Sequence, residues 1–245
     1  MLNFFHLRYG SELHINKNKI MNITFYGHSC VGIEVSGKHI LVDPFISANE
    51  KAAHIDVNEL KADYILLTHA HQDHTLDVEV IAKRTNAVIV SGYEIAVYYG
   101  NKGFQYHAMN HGGSWQFDFG KVKFVAAVHS SSFPDGTYGG NPGGFVIEGE
   151  HKNIYISGDT ALTMDMKLIP MRTKLDLAIL PIGNCFTMDV DDAIIAADFV
   201  DCDKILGCHY DTFGFIVINH EEAIKKFFDA GKDLMLLDIG ESISL

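Results

Sequence analysis

The sequence predicts a single α/β or α+β domain, and three observations carry that reading. The first half is rich in short strands with helices between them, and the second half alternates helix with strand. No linker-like break divides the 245 residues. Apolar residues make up 47%, enough for a sizeable core. Each half can form a sheet with helices on one face, and two such halves packed sheet against sheet would give four layers. Periodicity alone stops at α/β or α+β.

The strong pattern begins at Met21, so residues 1–20, polar and weakly patterned, read as an N-terminal extension to a domain spanning 21–245. Residues 22–26, 31–35 and 38–42 read as a meander of three strands, with turns at Gly27-His28-Ser29 and Ser36-Gly37. Asp43-Pro44 ends the third strand, because proline cannot continue a ladder. Residues 63–67 are apolar on both faces and form a buried strand. A helix is expected over 76–84, a strand over 87–90 and a helix over 93–99. Strand pairs follow at 115–119 with 122–128 and at 144–148 with 153–157. The rest reads as helix 162–169, strand 175–182, helix 190–200, strand 204–208, helix 221–230 and a closing strand 234–239.

The formal net charge of -12 excludes a phosphate-backbone binder without a basic patch, and no dense Lys/Arg run supplies one. The four cysteines form no C-x-x-C and read as reduced core thiols. No apolar run approaches a membrane span or a signal peptide, so cytoplasm is the default compartment. Fourteen histidines are many for this length. His6, His14 and His151 read as solvated; position decides for the others.

Five strand ends each deliver a potential ligand. His69, His71, Asp73 and His74 follow the buried strand 63–67. His129 follows 122–128, Asp159 follows 153–157, His209 follows 204–208 and Asp43 follows 38–42. Neutral imidazole and carboxylate are the usual donors for zinc and similar ions. In H-x-H-x-D-H the first two histidines can converge on one ion and the Asp-His pair can turn toward a second. Seven donors exceed one tetrahedral shell, so two ions fit better than one, and an open nitrogen- and oxygen-rich pair is the arrangement that activates water. Zinc is the expected metal, with manganese or iron as alternatives. Ser130–Ser132 lack a G-x-S-x-G elbow and read as turn or substrate-contact residues.

These residues resemble the metallo-β-lactamase superfamily from Met21 to the C-terminus, most specifically through Thr68-His69-Ala70-His71-Gln72-Asp73-His74. Within it the chain looks like the poorly characterised bacterial and archaeal metal-dependent hydrolases, and is distantly similar to L-ascorbate 6-phosphate lactonases. Gly27-His28-Ser29-Cys30, Asp43-Pro44-Phe45, His129-Ser130-Ser131-Ser132, Gly158-Asp159-Thr160, Leu180-Pro181-Ile182-Gly183 and His209-Tyr210-Asp211-Thr212-Phe213 extend the match. The chain departs from the commonest form, Gly-His-Gly-Asp-His, at Ala70 and Gln72.

The resemblance implies an α+β, four-layer αβ/βα sandwich with the site between the sheets. It assigns His69, His71 and His129 to one ion and Asp73, His74 and His209 to the other, with Asp159 bridging. Asp43 would orient ligands from behind, with Tyr210 beside it. Asp73, His28 and Asn184 are the candidates to act on substrate: His28 and Asn184 lie in turns, and either face the substrate or bond nearby backbone.

The implied function is metal-dependent hydrolysis of an ester, lactone, amide or phosphodiester of a small molecule. A non-catalytic metal-binding protein, or a phosphodiesterase or nuclease of the same shape, is the alternative. No nucleic-acid partner and no membrane span is expected, and a homo-oligomer stays open. A flavin-diiron redox role would need Glu where His71 stands and a further domain.

Overall fold

The structure, a computed structural model, describes residues 20–245, so all but the last residue of the expected 1–20 extension lies outside the described residues. Two mixed sheets of seven strands are present. The first contains β1 (Asn22–Gly27), β2 (Cys30–Val35), β3 (Lys38–Val42), β4 (Tyr64–Leu67), β5 (Val88–Gly92), β6 (Tyr106–Met109) and, at its edge beside β1, β14 (Ser242–Ser244). The second runs in order from β7 (Ser114–Phe117) through β8 (Gly120–Ala126), β9 (Gly143–Glu148), β10 (Asn153–Ile156), β11 (Leu177–Pro181) and β12 (Lys204–Cys208) to β13 (Asp233–Met235). The helices are α1 (Gln72–Thr75), α2 (Val78–Thr85), α3 (Tyr93–Asn101), α4 (Val190–Phe199) and α5 (His220–Asp229).

The period of two sorts side chains between layers. In β4, Leu66 joins the main core, while Ile65 and Leu67 face a second cluster built with Val78, Ile81 and Ile95 of α2 and α3. In β1, Ile23 and Phe25 are buried and Asn22 and Thr24 are not. The main core joins Ile23, Val31 and Leu66 of the first sheet to Phe124, Phe145 and Ile179 of the second. Ala193, Ala196 and Phe227 of α4 and α5 belong to it too, giving the helix–sheet–sheet–helix sandwich.

Four expectations change. Residues 162–169 form a short 3-10 turn, Met164–Leu168, and no α-helix: Met166 and Ile169 are buried but Met164 and Leu168 are exposed, and Pro170 stops continuation. The closing strand ends at Met235. Strands β6 and β14 add an edge to the first sheet each, too short and too polar to stand out. The helix expected over 76–84 is two pieces, α1 inside the histidine motif and α2 after a break at Leu76-Asp77.

Strand direction positions the site. β1 and β3 both pair antiparallel with β2, and β3 through β6 are parallel, so β1, β3 and β4 end at one rim. β8 and β10 both pair antiparallel with β9, and β10 through β13 are parallel, so β8, β10, β11 and β12 end together as well. Among the described residues no helix is long and apolar enough to cross a membrane.

Candidate metal centre

That rim carries every candidate ligand. His28 follows β1, Asp43 follows β3, and His69, His71, Asp73 and His74 follow β4; His129, Asp159 and His209 follow β8, β10 and β12. The backbone is bent sharply there. Among the described residues, six of the nine non-glycine residues with positive φ are His28, Asp43, Asn184, Cys185, His209 and Asp211, at φ between 46° and 64°. Left-handed backbone costs free energy in L-residues, and its concentration at one rim marks a functional region. Gly158, φ 64°, turns β10 into Asp159; any Cβ there would meet Thr68 at 2.7 Å, so glycine lets the two sheets touch behind the carboxylate.

Asp159 is the centre. Its buried Oδ2 lies 2.9 Å from His209 Nε2, 3.3 Å from His74 Nε2, 3.7 Å from His129 Nε2 and 4.0 Å from His69 Nε2. Its Oδ1 is buried without a partner, as is His209 Nδ1, and His74 Nε2 has no hydrogen-bond partner either. His69, His71 and His129 offer ring nitrogens within 4.8 Å of one another, and so do His28, His74 and His209 with the carboxylate of Asp73. Unpaired buried polar atoms are costly in a folded chain, and convergent imidazoles with two carboxylates and no thiol form a donor set for divalent transition ions. The residues fit such ions.

A network fixes the donors. Thr68 N–H and Oγ1 donate to Asp43 Oδ1 and Oδ2 at 2.8 and 2.6 Å, and His74 Nδ1 donates to Oδ2 at 2.8 Å. With its hydroxyl proton spent on Asp43, Thr68 Oγ1 accepts from His69 Nδ1 at 3.0 Å. Both rings are thereby held as tautomers with Nε2 bare and aimed inward. Ser131 Oγ accepts from Ala70 N–H and donates to the Gly139 carbonyl, and Ser130 Oγ lies 3.2 Å from His71 Nε2, so this serine run clamps the motif to the strand carrying His129. Ser131, read from the sequence as a turn or substrate-contact residue, makes a turn contact to Gly139 and holds Ala70 N–H; Thr68 is not among the site residues expected from the sequence, although it adjoins His69 in the motif.

Three further residues were expected around the donors, and Asn184 alone has one of its expected contacts, to nearby backbone. His28 is buried, with Nε2 3.1 Å from Asp73 Oδ2 and Nδ1 2.9 Å from Thr212 Oγ1. Its one N–H therefore serves Asp73, and both ring nitrogens bond side chains and not nearby backbone. Asn184 is exposed at the rim, and its Oδ1 accepts from Cys185 N–H at 2.6 Å, leaving only its amide hydrogens free. Tyr210 points away: His209 is left-handed, so the next side chain swings into the core, where its ring stacks on Phe25 at 6.3 Å.

The bare site's charges are strongly coupled. Burial pushes His28 down to about 4 against the pull of Asp73. Burial also lowers His69, His71 and His129. For His209, burial is outweighed by Asp159 and Asp73, which raise it to about 9; Asp159 and Asp43 raise His74 in the same way. The carboxyls of Asp73 and Asp159 stay ionised despite burial, because histidines donate to them. Asp43 moves the other way, burial raising it beyond what His74 and Thr68 offset.

A β-lactamase superfamily domain matches residues 22–209. A metal-dependent hydrolase of Flavobacterium johnsoniae is 79% identical over 225 residues, covering 92% of this chain and all of that protein. One from Methylacidiphilum infernorum is 48% identical over the same share of each. Among solved structures, Igni18, a metallo hydrolase of Ignicoccus hospitalis, superposes with a TM-score of 0.83 at 32% identity, covering 92% of this chain and 98% of that one. The chain belongs to the metal-dependent hydrolases of the β-lactamase superfamily.

Proposed function

We propose that this enzyme uses two divalent ions, zinc before manganese or iron, to hydrolyse an ester, lactone, amide or phosphodiester of a small molecule. The observation that carries the reading is Asp159, with one oxygen among four imidazole nitrogens and the other buried without a partner. His69, His71 and His129 would hold one ion, Asp73, His74 and His209 the other, and Asp159 both. When bound, the ions supply activation of water at neutral pH and positive charge for the oxyanion.

The chain's own groups do the rest. Asp43 and Thr68 keep His74 and His69 in the tautomer that presents Nε2. His28, neutral, holds Asp73 by a single N–H, so its role is positional. Asp73 is the more open carboxylate of the pair that faces the donors and is placed to take up a proton at the rim. Asn184, its oxygen already occupied, donates an amide hydrogen to a developing oxyanion, an interaction worth at most about 3 kcal/mol by comparison with single oxyanion-hole donors.

Elemental analysis of chelator-free protein should find close to two transition ions per chain. A screen over esters, lactones and phosphodiesters should find turnover that disappears with the metal and returns on reconstitution. No bound metal, or turnover indifferent to chelation, would refute the proposal.

A further inference from the structure

Beside the donors stands an aromatic wall that the ligand set does not need. The loop after β12 carries Phe213 and Phe215, and the loop after β11 carries Phe186, all exposed. The Phe213 ring lies 5.3 Å from the ring of His28, which is itself 4.1 Å from the ring of His209. Phe215 and Phe186 continue the line outward, their centroids 6.4 Å apart. Fully solvated aromatic rings forgo burial, and side by side at a chemical centre they mark a binding surface.

The exposure is built in. Asp211 N–H donates to the Ile216 carbonyl at 2.8 Å, and Asp211 Oδ1 accepts from Ile218 N–H at 3.0 Å. Ile216 is fully buried between them and Thr212 is tied to His28, so the loop is anchored while Phe215 stands 78% exposed. Behind Phe215 opens a cleft of about 270 Å³ whose exposed lining is mostly polar, with Asn184 and Asn219 beside Phe215 and Val217. Its floor, Gly183, lies against the carbonyl of His209, so cleft and donor set share one piece of backbone. The remaining lining is acidic: Asp189, Asp191 and Glu222, with Lys226 bonded to Asp191 at 2.9 Å and 3.7 Å from Glu222.

We propose that Phe213 and Phe215 select substrates whose non-reacting part is an uncharged apolar group, an aryl ring or a short alkyl chain. The acidic lining turns away carboxylates and phosphates at that end of the substrate, and the volume, at the small end of ligand pockets, limits its size. The proposal rests on the metal-centre reading above, since the reacting end must meet the ions.

The test uses the zinc-loaded full chain and three hydroxamates sharing one metal-binding head, with affinity read by calorimetry. Benzohydroxamate should bind about ten-fold more tightly than acetohydroxamate, the difference expected from burying a ring in place of a methyl. Placing a carboxylate on the ring, as in 4-carboxybenzohydroxamate, should remove the gain. Phe215→Ala, too exposed to disturb folding, and Phe213→Ala should each shrink it to about two-fold, with zinc content unchanged. Phe228→Ala, equally exposed but on α5 outside the wall, should keep it. Equal affinity for the two unsubstituted hydroxamates, or a ring gain that survives Phe215→Ala and Phe213→Ala, overturns the proposal alone. No affinity for any hydroxamate overturns the metal centre and the proposal with it.

Discussion

On the two-ion reading proposed above, Gly183→Ala should cost the enzyme one metal ion without replacing a ligand. Gly183 has no unusual φ, so the substitution strains nothing by conformation; space alone decides. The added methyl would overlap the backbone carbonyl oxygen of His209 and meet Ile216 Cβ at 3.0 Å. Backbone cannot rotate out of the way as a side-chain tip can. Relief needs a movement on the order of 1 Å, several times the roughly 0.2 Å tolerance of a metal–ligand distance. His209 N–H is bonded to the His28 carbonyl at 2.8 Å, so the shift also loosens the turn that holds Asp73. Overpacking of this kind costs about 3 kcal/mol, which lowers Tm by roughly 6 to 12 °C in a chain of this size. Elemental analysis should fall from two ions toward one, with the His69, His71 and His129 ion retained. Two ions at wild-type affinity together with an unshifted Tm would show that His209 is not held as argued.

Other consequences follow from the same network. Asp43→Asn keeps the shape but removes the charge that fixes His74, and metal affinity measured against a chelator should weaken about 10- to 100-fold; unchanged affinity would count against Asp43 as the orienting group. Asp159→Ala should lower bound metal more than Asp43→Asn, since it removes a group central to both donor sets; equal loss would contradict that centrality. The chelated protein should be most stable near pH 6.5. His28, lowered to about 4 in the fold, takes up its proton more readily when unfolded, so stability falls as pH drops from 6.5 to 4. His209, raised to about 9, holds its proton more tightly when folded, so that contribution is lost as pH rises from 6.5 to 9. Thermal melts across this range in chelator test the shape, and a monotonic curve would refute it; bound metal should flatten the alkaline side, because it replaces the proton on His209.

The histidine motif was legible because Thr68–His74 compresses its signal into one segment after a doubly buried strand, and His129, Asp159 and His209 were legible as polar residues ending apolar strands. What joins them was not. His28 meets Thr212 across 184 positions, and no local pattern announces such a pair. Tyr210 misled because it directly follows His209 in the chain, whereas the left-handed His209 turns the next side chain into the core. Residues 162–169 have the apolar content of a helix, but it is split: Met166 and Ile169 enter the core while Met164 and Leu168 stay in solvent, and Pro170 follows at once. β6 and β14 are edge strands of four and three residues, where pairing to one neighbour suffices and little side-chain patterning is demanded.

The donors divide between the sheets: His28, Asp43 and the motif stand on the first, His129, Asp159 and His209 on the second. An ion held by both works as a rivet through one rim of the sandwich, while the opposite rim is bridged without metal, by Tyr64 and Lys38 of the first sheet on Asp118 of the second. Withdrawing the rivet leaves the layers joined along the core formed by Phe124, Phe145 and Leu66, free to part only where the site lies. Amide exchange in the chelated protein should therefore quicken first at Thr68, Ser157 and Ile182, whose N–H groups lie at that rim, and last in the middle of β4 and β10. Each donor set draws on both sheets, His129 or His209 joining the motif, so full occupancy of the centre reports on the closed sandwich as a whole and not on the folding of either sheet.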